Sequence, residues 1–177
     1  MMIVQSVFLR QAARILMAAG FVAGLGLGAA RAESPKTLGT FKDWSAYLLT
    51  EGGKTVCFAV AQPQDKLPKN AKHGDVFLLI SNWKGGAKGE PSLVTGYSFK
   101  TGSAVTAEIG SAKWNLFTKD NSAWLREAAD EKKLLNAMKR GSSMRMKGTS
   151  ARGTATEYQI SLSGVTKAIN AINASCK

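Results

Sequence analysis

The chain has 177 residues and carries 24 Lys+Arg against 12 Asp+Glu, a formal net charge of +12. That length suits one ordinary domain, and 45% hydrophobic with only 20% charged residues is globular composition, which excludes wholesale disorder. One histidine and two cysteines exclude a multi-histidine metal site, a four-cysteine zinc site and an iron–sulfur cluster held within one chain, so no metal or other cofactor is expected.

Arg10 and Arg14 precede an uncharged run, Ile15 to Ala30, which ends in the small-x-small triplet Ala30-Arg31-Ala32. This is the pattern of a secretory signal peptide, with cleavage expected between Ala32 and Glu33. The run is too short and too rich in Gly and Ala for a membrane span, which needs about 20 strongly apolar residues, and no later stretch reads as one. The expected organisation is therefore a leader over residues 1–32 and one domain over residues 33–177, exported to the periplasm or cell envelope. Loss of Arg10, Arg14 and Arg31 leaves 21 basic against 12 acidic residues, a charge of +9. Outside the cytoplasm that basicity points to an anionic envelope or host-surface partner, with no specific nucleic-acid recognition expected.

From Phe41 to about Thr118 short β-branched and aromatic runs alternate with glycine pairs and polar turns, the signature of antiparallel strands. Trp44 to Thr50 and Lys54 to Ala61 flank Gly52-Gly53, which reads as a hairpin with a two-residue turn. Gln62 to Gly74, with Pro63 and Pro68, reads as an exposed loop. The almost continuous apolar run from Asp75 to Trp83 predicts a strand buried on both faces. Its turn is expected over Lys84 to Glu90, followed by strands at Leu93 to Phe99, Ala104 to Ile109 and Lys113 to Phe117.

At Ala128 to Arg140 the period changes: Leu134, Leu135 and Met138 form one apolar face, Asp130 is a candidate cap and Gly141 a stop, which predicts a short amphipathic helix. Strand character returns in Ser143 to Gly148, where Met144 and Met146 should face inward and Arg145 and Lys147 face water. Thr154 to Leu162 is the returning strand. Beyond Gly164, residues Val165, Ala168, Ile169, Ile172 and Cys176 fall on one helical stripe. Export to an oxidising compartment makes a Cys57–Cys176 disulfide the expectation, and the absence of a C-x-x-C pair disfavours a redox enzyme.

Candidate chemistry is thin. His73 lies among Lys66, Lys69 and Lys72 in the polar loop and reads as solvent-exposed, not as a catalytic base. Ser81-Asn-Trp-Lys84 with Lys100-Thr-Gly102 spells two elements of serine β-lactamases, but the first ends a strand where that fold needs a helix start, and the chain is too short. The carboxylates show no spacing that forces two to converge; a small periplasmic enzyme acting on envelope glycans stays the alternative to a binding protein, with a pocket holding two carboxyls as the discriminator. Trp44, Trp83, Trp114 and Trp124 read as core or half-core residues more readily than as a carbohydrate platform. Lys139, Arg140, Arg145, Lys147 and Arg152 gather in sequence around one helix end and the following hairpin, the candidate anion-binding set.

Taken together, Phe41-Lys-Asp-Trp44, Val56-Cys-Phe58, Val94-Thr-Gly-Tyr97, Trp114-Asn-Leu-Phe-Thr-Lys119, Ala123-Trp-Leu125, Ala137 to Met144, Lys147 to Thr154, Tyr158 and Ser161-Leu-Ser-Gly164 resemble the invasion-associated locus B family, over about Thr40 to Cys176. The resemblance implies a small exported bacterial protein with a mainly β fold, named for a role in host-cell entry. It supplies no catalytic residues. Several members carry a further early cysteine where this chain has Ala46, Tyr47 and Leu48, so at most one disulfide is expected. The resulting expectation is a mainly β domain, an antiparallel β-sandwich or partly open barrel with two short helices, the C-terminal one packed on the sheet. Its function is expected to be non-enzymatic, through binding of an envelope or host partner.

Overall fold

The structure is a computed structural model that describes residues 34–177; the expected leader and its cleavage after Ala32 lie outside the described residues. In chain order the elements are β1 Lys36–Phe41, β2 Trp44–Glu51, β3 Lys54–Ala61, β4 Asp65–Leu67, β5 Phe77–Trp83, β6 Lys88–Val94, β7 Ala104–Ile109, β8 Ala112–Lys119, β9 Ser122–Trp124, α1 Ala128–Arg140, β10 Ser143–Thr149, β11 Ala155–Ser161 and α2 Val165–Ser175. Together the strands make one antiparallel sheet in the order β1-β2-β3-β5-β6-β9-β8-β7-β10-β11-β4. The mainly β expectation holds, in its partly open form. The sheet curls until the Trp44 indole N–H in β2 donates to the Ser161 carbonyl at the end of β11, at 2.9 Å. The neighbouring Asp43 N–H donates to Ser163 at 3.3 Å. Yet β1 and β4 keep one free edge each.

Local chemistry accounts for the hairpins. Between β2 and β3 the pair Glu51 and Lys54 is separated only by Gly52 and Gly53, at φ +56° and +75°, the two positive angles a type I′ turn demands and glycine adopts without strain. The β7–β8 and β10–β11 hairpins set Met146 and Ala107 side by side inside, with Arg145 opposite Glu108 and Lys147 opposite Glu157 outside.

The core lies on the concave side, where Trp44, Leu78, Ile80, Leu93, Leu116, Met144, Met146 and Ile160 are almost wholly buried. Each such side chain removed from water contributes roughly 1.5–3 kcal/mol. Helix α2 covers this core with the predicted stripe: Val165, Ala168, Ile169 and Ile172 are buried, and so is Cys176. Helix α1 adds Leu134 and Met138.

Several local readings change. Strand β1 precedes the predicted start, and β4 lies inside the predicted loop, where it pairs with β11. Strand β6 begins in the predicted turn and ends at Val94. It accommodates Pro91 because β9 pairs only with Ser92 to Val94, so no ladder needs the missing N–H. Glu127, not Asp130, occupies the N-cap of α1, and Asp130 instead pairs with Lys133 at 2.9 Å. In β5 burial alternates strictly: Leu78, Ile80 and Asn82 are buried, and Phe77, Leu79, Ser81 and Trp83 are half-buried. The expectation of two covered faces therefore fails, because both helices pack on the same side.

Candidate functional site

Cys57 of β3 and Cys176 at the end of α2 are joined by a disulfide, with Cα atoms 5.8 Å apart and both residues fully buried. Cys57 is fixed in the ladder opposite Leu48 and Asn82. The Asn82 amide in turn donates to the Asn173 side-chain oxygen of α2 at 2.8 Å, and its own oxygen accepts the Gly89 N–H at 2.7 Å. The last helix is thus tied to the sheet covalently and by a hydrogen-bonded asparagine pair.

The five residues of the candidate anion-binding set do not converge. Lys139 and Arg140 end α1, whereas Arg152 sits in the turn at the far end of β10, a seven-residue strand of roughly 20 Å. Arg145 and Lys147 point outward as predicted, but they face acids. Lys147 and Lys113 lie 3.2 and 3.1 Å from the Glu108 carboxylate, and the Arg145 guanidinium lies 3.0 Å from Glu157 and 3.9 Å from Glu108. The ammonium groups of Lys113 and then Lys147 hold the Glu108 carboxyl below its ordinary range. Among the described residues Lys139, Arg140 and Arg152 enter no ion pair.

Beneath this hairpin runs a polar chain that sequence reasoning missed. His73 is buried at 7% exposure, contrary to the exposed reading. Its Nε2 lies 2.9 Å from the Pro68 carbonyl and its Nδ1 3.1 Å from the Tyr158 hydroxyl. Tyr158 donates to the Tyr97 hydroxyl at 2.8 Å, Tyr97 meets the Thr156 hydroxyl at 2.7 Å, and Thr156 donates to the Gly148 carbonyl at 3.2 Å. With a neutral imidazole the side chains hold four protons for these five contacts; with Tyr158 donating to Tyr97, the single His73 N–H serves either the Pro68 carbonyl or the Tyr158 hydroxyl at one moment. Burial, reinforced for Tyr158 by Tyr97, pushes both phenols above the ordinary tyrosine range, so they remain neutral hydrogen-bonding groups and not bases.

His73 was misread because burial there is a tertiary effect. Strand β4 pins the loop to β11, Gln64 donates to Gln159 at 2.8 Å, and Lys66 reaches back to the Gly74 carbonyl at 3.0 Å, which folds the lysine-rich segment over the imidazole. Only the pairing of a lone histidine with downstream tyrosines could have hinted at it.

Among the described residues, two grooves lie on the surface of the sheet and its turns. One, of about 650 Å³, runs over β4, β11, β10 and β7, with Leu67, Pro68, Lys147 and Glu157 in its lining and Thr156 and Gly148 at its floor. The other, of about 470 Å³, lies between the β2–β3 and β5–β6 turns beside Trp83, with Lys54 and Lys84 on its walls. The first holds one carboxyl and the second none. Glu90 and Glu131, whose carboxyls burial pushes up, lie in neither. Among the described residues no cluster of three or more His, Cys, Asp or Glu side chains is arranged to hold a metal ion.

Comparison with known proteins agrees with this architecture. The crystal structure of invasion associated protein B from Bartonella henselae superposes with a TM-score of 0.55 at 18% identity, covering 78% of this chain and 95% of that one. At that identity the likeness shows a shared fold. No curated protein matches the chain. The sequence model of the Invasion associated locus B (IalB) protein family matches residues 44–173, from the Trp44 of the β2–β11 seam to the Asn173 that anchors α2, and the chain therefore belongs to that family.

Proposed function

We propose that the protein is exported through a cleaved leader, residues 1–32, to the periplasm or cell envelope, where it acts by binding and contributes to host-cell attachment or invasion. The observation that carries this reading is the buried Cys57–Cys176 disulfide, a bond that persists in oxidising compartments and not in a reducing cytoplasm. Family membership supports the invasion-related role. A binding function also suits the two grooves described above, which hold at most one carboxyl each, since glycan hydrolysis typically uses two carboxyls within about 5–10 Å of each other. The partner is an envelope or host-surface component of anionic chemistry.

The test is fractionation of cells in alkylating buffer without reductant, followed by intact-mass measurement, together with adhesion of a deletion strain to host cells. The expected species begins at Glu33, carries no alkyl adduct and leaves the cytoplasmic fraction, and the deletion strain adheres less than its parent. Retention of residues 1–32, two alkylated thiols, or unchanged adhesion would each remove the corresponding part of the reading.

A further inference from the structure

The side of the sheet turned away from the core divides into two unlike halves. On β7, β10 and β11, with Lys113 of β8, it is ionic, three cations sharing the Glu108 and Glu157 carboxylates. Across β3, β5 and β9, with Tyr47 of β2 and Phe117 of β8, it carries a band of large apolar side chains. Register places Val60, Leu79, Ser92, Trp124 and Phe117 side by side across five strands. The next rows hold Tyr47 stacked on Phe58 with ring centroids 5.4 Å apart, and Val56 opposite Trp83. None of these large side chains belongs to the core cluster, and most are half-buried. This is the face that the doubly apolar β5 sequence expects to be covered, and among the described residues no element packs over it.

The border of this face carries cations that form no ion pair among the described residues: Lys54, Lys84, Lys119 and Arg126. Arg126 lies over the Phe117 ring at 4.6 Å, and Lys54 and Lys84 wall the groove beside Trp83. The acids at this border are Glu51 and Asp120, with Glu90 opposite Ser81 in register. Tyrosine and tryptophan interleaved with aliphatics, rimmed by basic side chains, suit a membrane–water interface, where aromatic rings sit at headgroup level and cations meet phosphate. A second copy of the chain fits poorly, because face-to-face association would bring two basic rims together.

We propose that this apolar face docks on an anionic phospholipid surface, with the groove between Lys54 and Lys84 taking a headgroup phosphate. The proposal deepens the envelope-binding reading above by naming a partner, and it is tested on purified protein so that its failure leaves export untouched.

The experiment is co-sedimentation of the protein, in the form cells accumulate, with vesicles of phosphatidylglycerol and phosphatidylcholine or of phosphatidylcholine alone, with Trp83 and Trp124 fluorescence as a second readout. Anionic vesicles should bind at least about tenfold more tightly, and higher salt should weaken binding. Each basic residue near such a surface is worth about 1 kcal/mol, so Lys54→Ser with Lys84→Ser should weaken binding about tenfold or more. Both residues are exposed and unpaired, so the fold survives. Removing the same charge at Lys139 and Arg140, on the end of α1, should leave binding within about twofold. Leu79→Thr, which keeps strand propensity, should abolish the blue shift of tryptophan emission. Equal binding to neutral vesicles, no binding, or equal losses from the Lys54/Lys84 and Lys139/Arg140 double variants would overturn the proposal. So would concentration-dependent dimerisation abolished by Leu79→Thr, which would assign the face to a second copy.

Discussion

Replacing Tyr158 by Phe isolates the buried polar chain, because it deletes one oxygen and leaves the fully buried ring in place. That oxygen bonds Tyr97 at 2.8 Å and His73 Nδ1 at 3.1 Å. Each such bond contributes about 1 kcal/mol net, and a buried group left without a partner costs about 1–3 kcal/mol. Tyr97 keeps Thr156, but His73 Nδ1 loses its Tyr158 partner, so the expected loss is about 2–3 kcal/mol. For a domain of this size that lowers the melting temperature by roughly 5–10 °C. Tyr97→Phe leaves Tyr158 bonded to His73 and should cost about 1–2 kcal/mol. In the double variant the shared hydroxyl–hydroxyl bond is lost only once, so the costs should fall short of additivity by about 1 kcal/mol. Urea unfolding with an unchanged slope is the assay. A Tyr158→Phe loss under about 0.5 kcal/mol, or strict additivity, would show that the chain contributes no more than a surface polar contact.

Removing the disulfide as Cys57→Ala with Cys176→Ala opens a loop with a sequence separation of 119 and should cost about 4–5 kcal/mol, seen as a large fall in melting temperature that reductant reproduces in the parent; equal melting of the two proteins would contradict it. Gly164 caps α2 at φ +97°, and a Cβ there would lie 1.8 Å from the Phe41 carbonyl oxygen, so Gly164→Ala should cost more than about 4 kcal/mol and collapse the yield of folded protein; recovery of a normally stable variant would show that the β1–β2 corner yields freely. Burial, and then the charge of Glu90, raise the Glu131 carboxyl above its ordinary range. A raised carboxylate destabilises the fold as pH climbs through the folded-state value, so Glu131→Gln should raise thermal stability near neutral pH and leave it unchanged where both states are protonated; a gain confined to acid would reverse the argument.

Where pattern is local, the sequence alone carried the structure. Gly52-Gly53 specified the first hairpin, the shift to helical period marked Ala128–Arg140 to the residue, and the stripe from Val165 to Cys176 named the face of α2; the cysteine count and the expected export, not local pattern, paired Cys57 with Cys176. The alternation in β10 likewise separated buried Met144 and Met146 from outward Arg145 and Lys147. Such features depend on side-chain period and turn conformations, which neighbours in sequence determine. Strand order, the burial of His73 and the fate of each face of β5 depended instead on contacts far apart in the chain. The three-residue strands β4 and β9 have too few residues to show a period, and they exist because β11, β6 and β8 offer free ladder edges. His73 became part of a tyrosine network only when β4 drew its loop onto β11. The cations adjacent in sequence from Lys139 to Arg152 were dispersed by the length of one strand and partly neutralised by Glu108 and Glu157, whereas Lys54, Lys84, Lys119 and Arg126, far apart in the chain, were gathered at the border of one apolar face. Charge along a chain is set by composition; charge across a surface is set by which strands pair.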